Sequence, residues 1–147
     1  MKYFILLILL TLFSCNKGVE SPRGFSLPKG NADSGKLVFL KYKCLACHTL
    51  QGIDDTRIKK HPDISVPLGG EKTQVVTYAQ LVTSIINPSH KLANPYSPMS
   101  KNPDGTSKMK IFNDEMTVTE LINLVSFLQP NYTLAPYQPT NYQYYPN

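Results

Sequence analysis

Two segments of the chain repeat apolar residues at helical spacing and begin with helix-capping residues. The clearer one is TVTELINLVSFLQP at 117–130, where apolar residues recur three and four positions apart and Thr117 with Glu120 forms a capping box. The segment TYAQLVTSIINPS at 77–89 has a similar apolar stripe and begins with a second capping box. Both segments end at a proline, which favours helix termination there. The pattern therefore predicts two capped helices.

A third helix is predicted from NADSGKLVFLKYKC at 31–44. Asn31 or Asp33 can cap its first turn. Gly35 stands early in this helix, where a glycine costs about 1 kcal/mol relative to alanine. That cost indicates that another part of the backbone approaches closely at Gly35.

Polar and irregular stretches separate and flank these helices. The segments 49–76 and 87–116 are rich in Gly, Pro, Asn and Lys and show no strand-like alternation. The pattern predicts an all-α domain at 31–130, with three or more helices and long loops. A Gly/Pro/Ser-rich tether at 15–30 precedes it, and a Pro/Tyr-rich tail at 131–147 follows it.

The long loops indicate that something binds the domain. Structureless loops of this length are unusual in a compact domain unless they hold a ligand. A domain of about 100 residues with little apolar core usually needs a disulfide, a metal or a large cofactor for stability.

For the tail we expect an extended or disordered segment, with an aromatic strap over the domain or a partner contact as the alternative.

The first 14 residues are typical of a bacterial signal peptide. A short positive start precedes YFILLILLTLF at 3–13, an apolar run too short to span a bilayer as a helix. The stretch LFSC at 12–15 resembles a bacterial lipobox, which implies cleavage before Cys15 and lipid attachment to its sulfur. An ordinary signal peptide that leaves Cys15 free is the alternative. We therefore expect a membrane-anchored lipoprotein of the bacterial cell envelope that faces the periplasm.

Charge excludes little about function. The net charge is +5, and removal of the first 14 residues takes away one lysine and leaves +4. Basic residues form no long run, so the chain does not indicate nucleic-acid binding. The modest positive charge could help docking to an acidic protein or to an anionic membrane surface.

The sequence CLACH contains three possible metal ligands, Cys44, Cys47 and His48. A structural zinc ion requires four ligands, and beyond this motif the mature chain offers only His61 and His90 as further strong ligands. A thioredoxin-like redox pair at this spacing requires a strand before the motif, and no strand is predicted there.

Covalent haem attachment is the third use of this motif. Cys-x-x-Cys-His is the attachment sequence of c-type haem. The thiols of Cys44 and Cys47 add across the two vinyl groups on one edge of the porphyrin, and His48 can then reach the iron. We therefore predict one covalently bound haem c, which also supplies the missing core of the small domain.

The chain resembles the class I, monohaem, cytochrome c family over residues 31–130. GKLVFLKYKCLACH at 35–48 is similar to that family's N-terminal helix running into the haem motif, and TVTELINLVSFL at 117–128 is similar to its C-terminal helix. In the family these helices cross near the haem, with a glycine and aromatic residues at the contact. Three residues stand at the matching positions: Gly35, Phe39 and Phe127.

The resemblance also implies an orientation for the proximal histidine. VPLGG at 66–70 resembles the family's loop in which a proline carbonyl holds the imidazole. Pro67 matches that proline. Its carbonyl is expected to accept a hydrogen bond from His48 Nδ1–H, which leaves Nε2 for the iron.

The segment MKIFNDEMT at 109–117 resembles the family's distal-ligand segment, Met-Pro-x-Phe followed by the helix cap. The resemblance implies that the iron is bound by His48 and Met109. Lys110 departs from the pattern because it replaces the proline. Met99, His61 and His90 are the alternative distal ligands. Met116 is interpreted as a core residue.

A haem with His and Met ligands has no free coordination position and is typical of electron carriers. The resemblance thus implies an electron-transfer protein rather than an enzyme, either a carrier or the cytochrome subunit of a periplasmic oxidoreductase. Its partners would be redox proteins, a membrane oxidase or reductase or a periplasmic dehydrogenase, and no small-molecule substrate is expected. The alternative is a haem-based gas sensor or a peroxidase-like enzyme with an open sixth position, which Lys110 favours.

Overall fold

The structure is a computed structural model that describes residues 25–92 and 98–137. The predicted signal peptide and the lipid-attachment site at Cys15 lie outside the described residues, as do the last ten residues of the tail.

Three α-helices form at the predicted places. They are α1 (Ala32–Lys41), α2 (Tyr78–Ile86) and α3 (Val118–Leu128). Three short 3₁₀ helices accompany them, at Cys44–Ala46, Pro98–Ser100 and Gln129–Asn131. Within the described residues, no helix has the length and apolar character needed to cross a membrane.

The helix starts follow the predicted capping residues. Asn31 caps α1, and its side chain accepts a hydrogen bond from the Ser34 N–H at 2.8 Å. Thr77 with Gln80 forms a complete capping box at α2, and the corresponding pair of residues does the same at α3. These caps satisfy N–H groups that have no partner inside the helix. The predicted helix starts are confirmed.

Four three-residue strands form two small parallel sheets. Strand β1 (His48–Leu50) pairs with β2 (Val66–Leu68), and β3 (Gly70–Lys72) pairs with β4 (Tyr132–Leu134). Among the described residues 36% are helical and 14% lie in strands. The prediction of an all-α fold is therefore wrong. The strands arise from backbone pairing between distant loop segments, and they are too short to show an alternation in the sequence.

Helices α1 and α3 cross at very close range. A Cβ atom on Gly35 would lie 2.6 Å from the carbonyl carbon of Asn123 and 2.7 Å from Phe127 Cβ. The rings of Phe39 and Phe127 lie 5.7 Å apart, tilted by 53°, a favourable arrangement for aromatic side chains. The predicted contact through Gly35, Phe39 and Phe127 is confirmed, and it explains the glycine in α1.

The core lies where the three helices and β1 meet. Phe39 is its most buried large side chain, at 1% exposure. All three helices contribute apolar side chains that point inward, and Leu45 and Leu50 come from the motif region. The buried apolar residues are Val38, Phe39, Leu45, Leu50, Leu81, Val82, Ile85, Leu124, Val125 and Leu128.

The last residues of the predicted tether lie against the helices. Leu27 packs against the core. Gly30 lies so close to α3 that a Cβ atom there would be 2.7 Å from the Ile122 carbonyl oxygen. The Tyr78 hydroxyl donates a hydrogen bond to the Phe25 carbonyl at 2.8 Å. The packed part of the chain thus includes residues 25–30.

Candidate functional site

A cavity of about 360 Å³ lies between the helices and the β1–β2 sheet. Ligand-binding cavities usually measure about 300–1,000 Å³. The five residues predicted for the cofactor site all line this one cavity: Cys44, Cys47, His48, Pro67 and Met109. The fold therefore brings together residues that are up to 65 positions apart in the sequence, from 44 to 109.

The two cysteines lie in a tight turn just after α1. Lys43 adopts a left-handed backbone conformation with φ 53° and begins the 3₁₀ helix Cys44–Ala46. The Cys47 N–H donates a hydrogen bond to the Cys44 carbonyl at 3.2 Å. This turn directs both cysteine side chains to the same cavity.

Both thiols are free and are held in the neutral form. Cys44 and Cys47 form no disulfide. Burial raises the pKa of the Cys44 thiol to about 11, with a smaller opposing effect from a backbone hydrogen bond. Burial also raises the pKa of the Cys47 thiol. Since the thiolate is the reactive species, these two groups are poor spontaneous nucleophiles at neutral pH.

The imidazole of His48 is oriented by a backbone carbonyl. His48 Nδ1 lies 3.3 Å from the Val66 carbonyl oxygen. A carbonyl can only accept, so Nδ1 carries the proton and Nε2 is left with a lone pair for a metal. Burial lowers the pKa of His48, and the bond to Val66 partly opposes this. A neutral imidazole is the form that binds metal ions.

The carbonyl that faces His48 is not the predicted one. The expectation was Pro67, and the structure instead uses Val66. The parallel register pairs His48 with Val66 and Thr49 with Pro67. The Val66 N–H also donates to the Cys47 carbonyl at 2.9 Å. Pro67 still lines the cavity, one position further along the strand and opposite Thr49.

Two methionine side chains reach the cavity. Met109 lines it and is half-buried, and its N–H donates to Ser107 Oγ at 3.1 Å. Met116 also lines it while packing against the core, as its predicted core role requires. Met99 is 50% exposed and does not line the cavity.

The two remaining histidines lie away from the cavity. His61 and His90 are exposed, and neither lines the cavity wall. His90 Nδ1 lies 2.8 Å from the Asn87 carbonyl oxygen, within its own turn. Of the methionines and histidines considered as distal ligands, Met109 and Met116 are therefore the ones that line the same cavity as His48.

Lys110, which stands where the similar cytochrome c segment has a proline, is held by local contacts. Its Nζ lies 2.5 Å from Glu115 Oε1 and 5.2 Å from the centre of the Phe112 ring. An ion pair and a cation–π contact therefore stabilise the segment beside Met109. This segment is shaped by different interactions from those that a proline would provide.

The zinc alternative finds no support in the side-chain arrangement. Nowhere in residues 25–92 and 98–137 do three His, Cys, Asp or Glu side chains come close enough to share a metal ion. A structural zinc site needs four such ligands in a closed tetrahedron. The wall of the cavity is instead largely apolar, with side chains from all three helices such as Phe39, Leu81 and Leu124.

The sequence did not predict several other cavity residues, among them Lys72 and Tyr132 on the β3–β4 sheet and Lys91 and Lys108 on the loops. Tyr132 and Lys72 both line the wall, and the pairing of β3 with β4 places them there. The Tyr132 side chain is partly buried, and burial raises the pKa of its hydroxyl, against a smaller effect of the Gly69 backbone. The only hint in the sequence was the abundance of tyrosine in the tail, which includes Tyr132.

Comparison of the chain with models of known protein families, with curated proteins and with solved structures found no match in any of the three. The case for a function therefore depends on the residues of the cavity and their geometry.

Proposed function

We propose that this chain is an electron-transfer protein that carries one covalently attached haem c in the bacterial cell envelope. One observation supports this above all. Cys44, Cys47, His48 and Met109 line the same, mostly apolar cavity. Two neighbouring thiols, an imidazole with a free Nε2 and a thioether form the donor set of a c-type haem with His and Met ligands, so the residues present fit this cofactor.

Each residue has a distinct part in holding the cofactor. Cys44 and Cys47 would form thioether bonds to it, and His48 Nε2 and the Met109 sulfur would bind its iron. A bound haem would supply a one-electron couple between ferric and ferrous iron. The Val66 carbonyl keeps the imidazole in one tautomer and orientation.

The apolar wall has a separate effect. Phe39, Leu81, Ile85, Leu124 and Leu128 line the cavity and are buried. They exclude water from the site, and burial of this kind is one of the means by which proteins set the potential of a haem. A methionine ligand raises that potential further.

The expected partners are other redox proteins: a membrane oxidase or reductase, or a periplasmic dehydrogenase for which the chain would act as cytochrome subunit. Lys43 is exposed directly beside Cys44, and Cys47 is only half-buried. The cysteine side of the cavity therefore comes close to the protein surface, as short-range electron transfer to a partner requires. The lipid on Cys15 would keep the domain near the membrane.

Spectroscopy of the matured protein tests this proposal. The soluble form that starts at residue 16 would be produced in cells equipped for haem attachment. We expect covalent haem, a low-spin spectrum with the weak ferric sulfur-to-iron band, and no change when carbon monoxide is added to the reduced form. A protein that acquires no covalent haem would contradict the proposal.

Methionine variants identify the distal ligand. Met109→Ala should abolish the sulfur-to-iron band and allow carbon monoxide to bind. Met99→Ala is the matched control and should leave both unchanged, because Met99 lies off the cavity. Loss of the band in Met116→Ala alone would transfer the role to Met116. A high-spin wild-type protein that binds carbon monoxide rapidly would instead favour a gas sensor or a peroxidase-like enzyme.

A further inference from the structure

The charged residues of the cavity wall all have the same sign. Lys72, Lys91 and Lys108 line the cavity, and among the described residues that line it there is no aspartate or glutamate. Buried or partly buried charges normally have a partner of opposite charge. Lys72 is half-buried, so this rule applies to it, and the exposed Lys91 and Lys108 add positive charge at the edge of the cavity. Together the three lysines favour an occupant that carries negative charge.

Lys72 is held at the cavity by the β3–β4 sheet. Its Nζ lies 5.9 Å from the centre of the Tyr132 ring, which is itself part of the cavity wall. Its carbonyl accepts a hydrogen bond from the Ala135 N–H at 2.9 Å, and the residue is half-buried. The ammonium group is therefore located at the cavity by the pairing of the C-terminal strand.

The other two lysines come from neighbouring loops that are bonded to each other. The Ser107 N–H donates to Ser89 Oγ at 3.1 Å, and the Lys108 N–H donates to the Ser100 carbonyl at 2.9 Å. The first bond connects the loop that carries Lys91 to the segment that carries Lys108, and the second connects that segment to the 3₁₀ helix Pro98–Ser100. Both lysines are exposed at the edge of the cavity.

Within the part of the chain that the structure describes, no carboxylate forms an ion pair with these three lysines. Lys41, Arg57, Lys60 and Lys110 each have a carboxylate partner there. The positive charge at the cavity is thus available for a ligand.

We propose that Lys72, Lys91 and Lys108 form an anion-binding rim for the carboxylate groups of the porphyrin. This inference depends on the proposed function, since it concerns the same cavity. A haem carries two carboxylate side chains, its only charged peripheral groups, and the rim provides the only charges in the described cavity wall that can match them. The lysines would fix the orientation of the cofactor and, by their positive charge, favour the reduced state of the iron.

Zero-length cross-linking of the wild-type holoprotein tests the contact directly. A water-soluble carbodiimide activates a carboxylate and is converted to its urea when a neighbouring amine displaces it, so that an amide forms with loss of one water. We expect amides between the haem carboxylates and Lys72, Lys91 or Lys108, identified by mass spectrometry of the digested haem peptide. Exposed lysines away from the cavity serve as internal controls and should not be linked: Lys29, Lys36 and Lys59.

The reduction potential gives a second, independent readout. At a fixed solution potential, the triple variant Lys72→Gln, Lys91→Gln and Lys108→Gln should have an oxidised-to-reduced ratio about tenfold higher than the wild type. This corresponds to a reduction potential that is lower by about 59 mV for one electron. A control variant removes the same net charge elsewhere, with Lys29→Gln, Lys36→Gln and Lys59→Gln, and should shift it far less because solvent screens distant charges. The sulfur-to-iron band must persist in the variant, so that the shift is not due to loss of the methionine ligand.

Each outcome decides between the proposals. Attached haem with no rim cross-link, and equal potentials in the rim and control variants, would overturn the anion-binding rim and leave the proposed function intact. Slower electron transfer to an acidic redox protein with an unchanged potential would reassign the lysines to protein docking, which also overturns it. A wild-type chain that acquires no covalent haem would overturn both proposals together.

Discussion

The crossing of α1 and α3 depends on the absence of a side chain at Gly35. A Cβ atom there would lie 2.6 Å from the carbonyl carbon of Asn123 and 2.7 Å from Phe127 Cβ. Carbon atoms in good contact are about 3.5–4.0 Å apart. The Asn123 atom belongs to the α3 backbone and cannot rotate away, so Gly35→Ala must push the two helices apart.

The size of the effect follows from two opposing contributions. Overpacking a core contact usually costs about 1–3 kcal/mol, and we take the upper end because the clash is with backbone. Replacing glycine by alanine inside a helix returns about 1 kcal/mol. We therefore expect Gly35→Ala to lower the free energy of unfolding by about 2 kcal/mol, which lowers the melting temperature by about 8–16 °C in a domain of this size.

Urea and thermal unfolding, followed by far-ultraviolet circular dichroism, measure this change. Lys36→Ala is the matched control, because Lys36 is the next residue of the same helix and is exposed. We expect the control to change stability by less than about 0.5 kcal/mol. A Gly35→Ala protein as stable as the wild type, or more stable, would refute the reasoning from the close crossing.

Two further predictions concern the helix contact and the C-terminal strand. The hydrogen bond from Lys41 holds the pKa of Glu120 at about 2, below its ordinary 4.5. The stability this provides is complete above pH 4.5 and is lost as the pH falls towards 2. Glu120→Gln keeps a capping acceptor but has no carboxylate that titrates. The urea midpoint of this variant should therefore fall less than that of the wild type between pH 4.5 and 2. Equal falls in the two proteins would contradict the link between Glu120 ionisation and stability. Truncation after Asn131 removes β4 and the cavity residue Tyr132. It should lower the melting temperature more than the control truncation after Tyr137, which keeps the strand. Equal melting temperatures of the two truncated proteins would show that β4 contributes nothing to stability.

Local patterns were sufficient to predict the three helices and much of the site. The capping boxes at Thr77 and Thr117 depend on residues three positions apart, so they can be recognised without knowledge of the fold. The attachment motif supplied Cys44, Cys47 and His48, and the resemblance to the cytochrome c family added Pro67, Met109 and the partner of Gly35. The structure places these five site residues on one cavity. The cofactor and the electron-transfer function remain predictions.

The tertiary structure decided the features that depend on long-range backbone pairing. Strands of three residues have no detectable period, so neither small sheet could be predicted. The register of β1 against β2 made Val66, instead of Pro67, the partner of His48. The pairing of β3 with β4 brought Lys72 and Tyr132 to the cavity. The sequence by itself determined the helices and the attachment motif, because short-range sterics and hydrogen bonds specify them. The folded chain alone decided which carbonyl and which cations face the cavity, since one residue of register changes which groups meet.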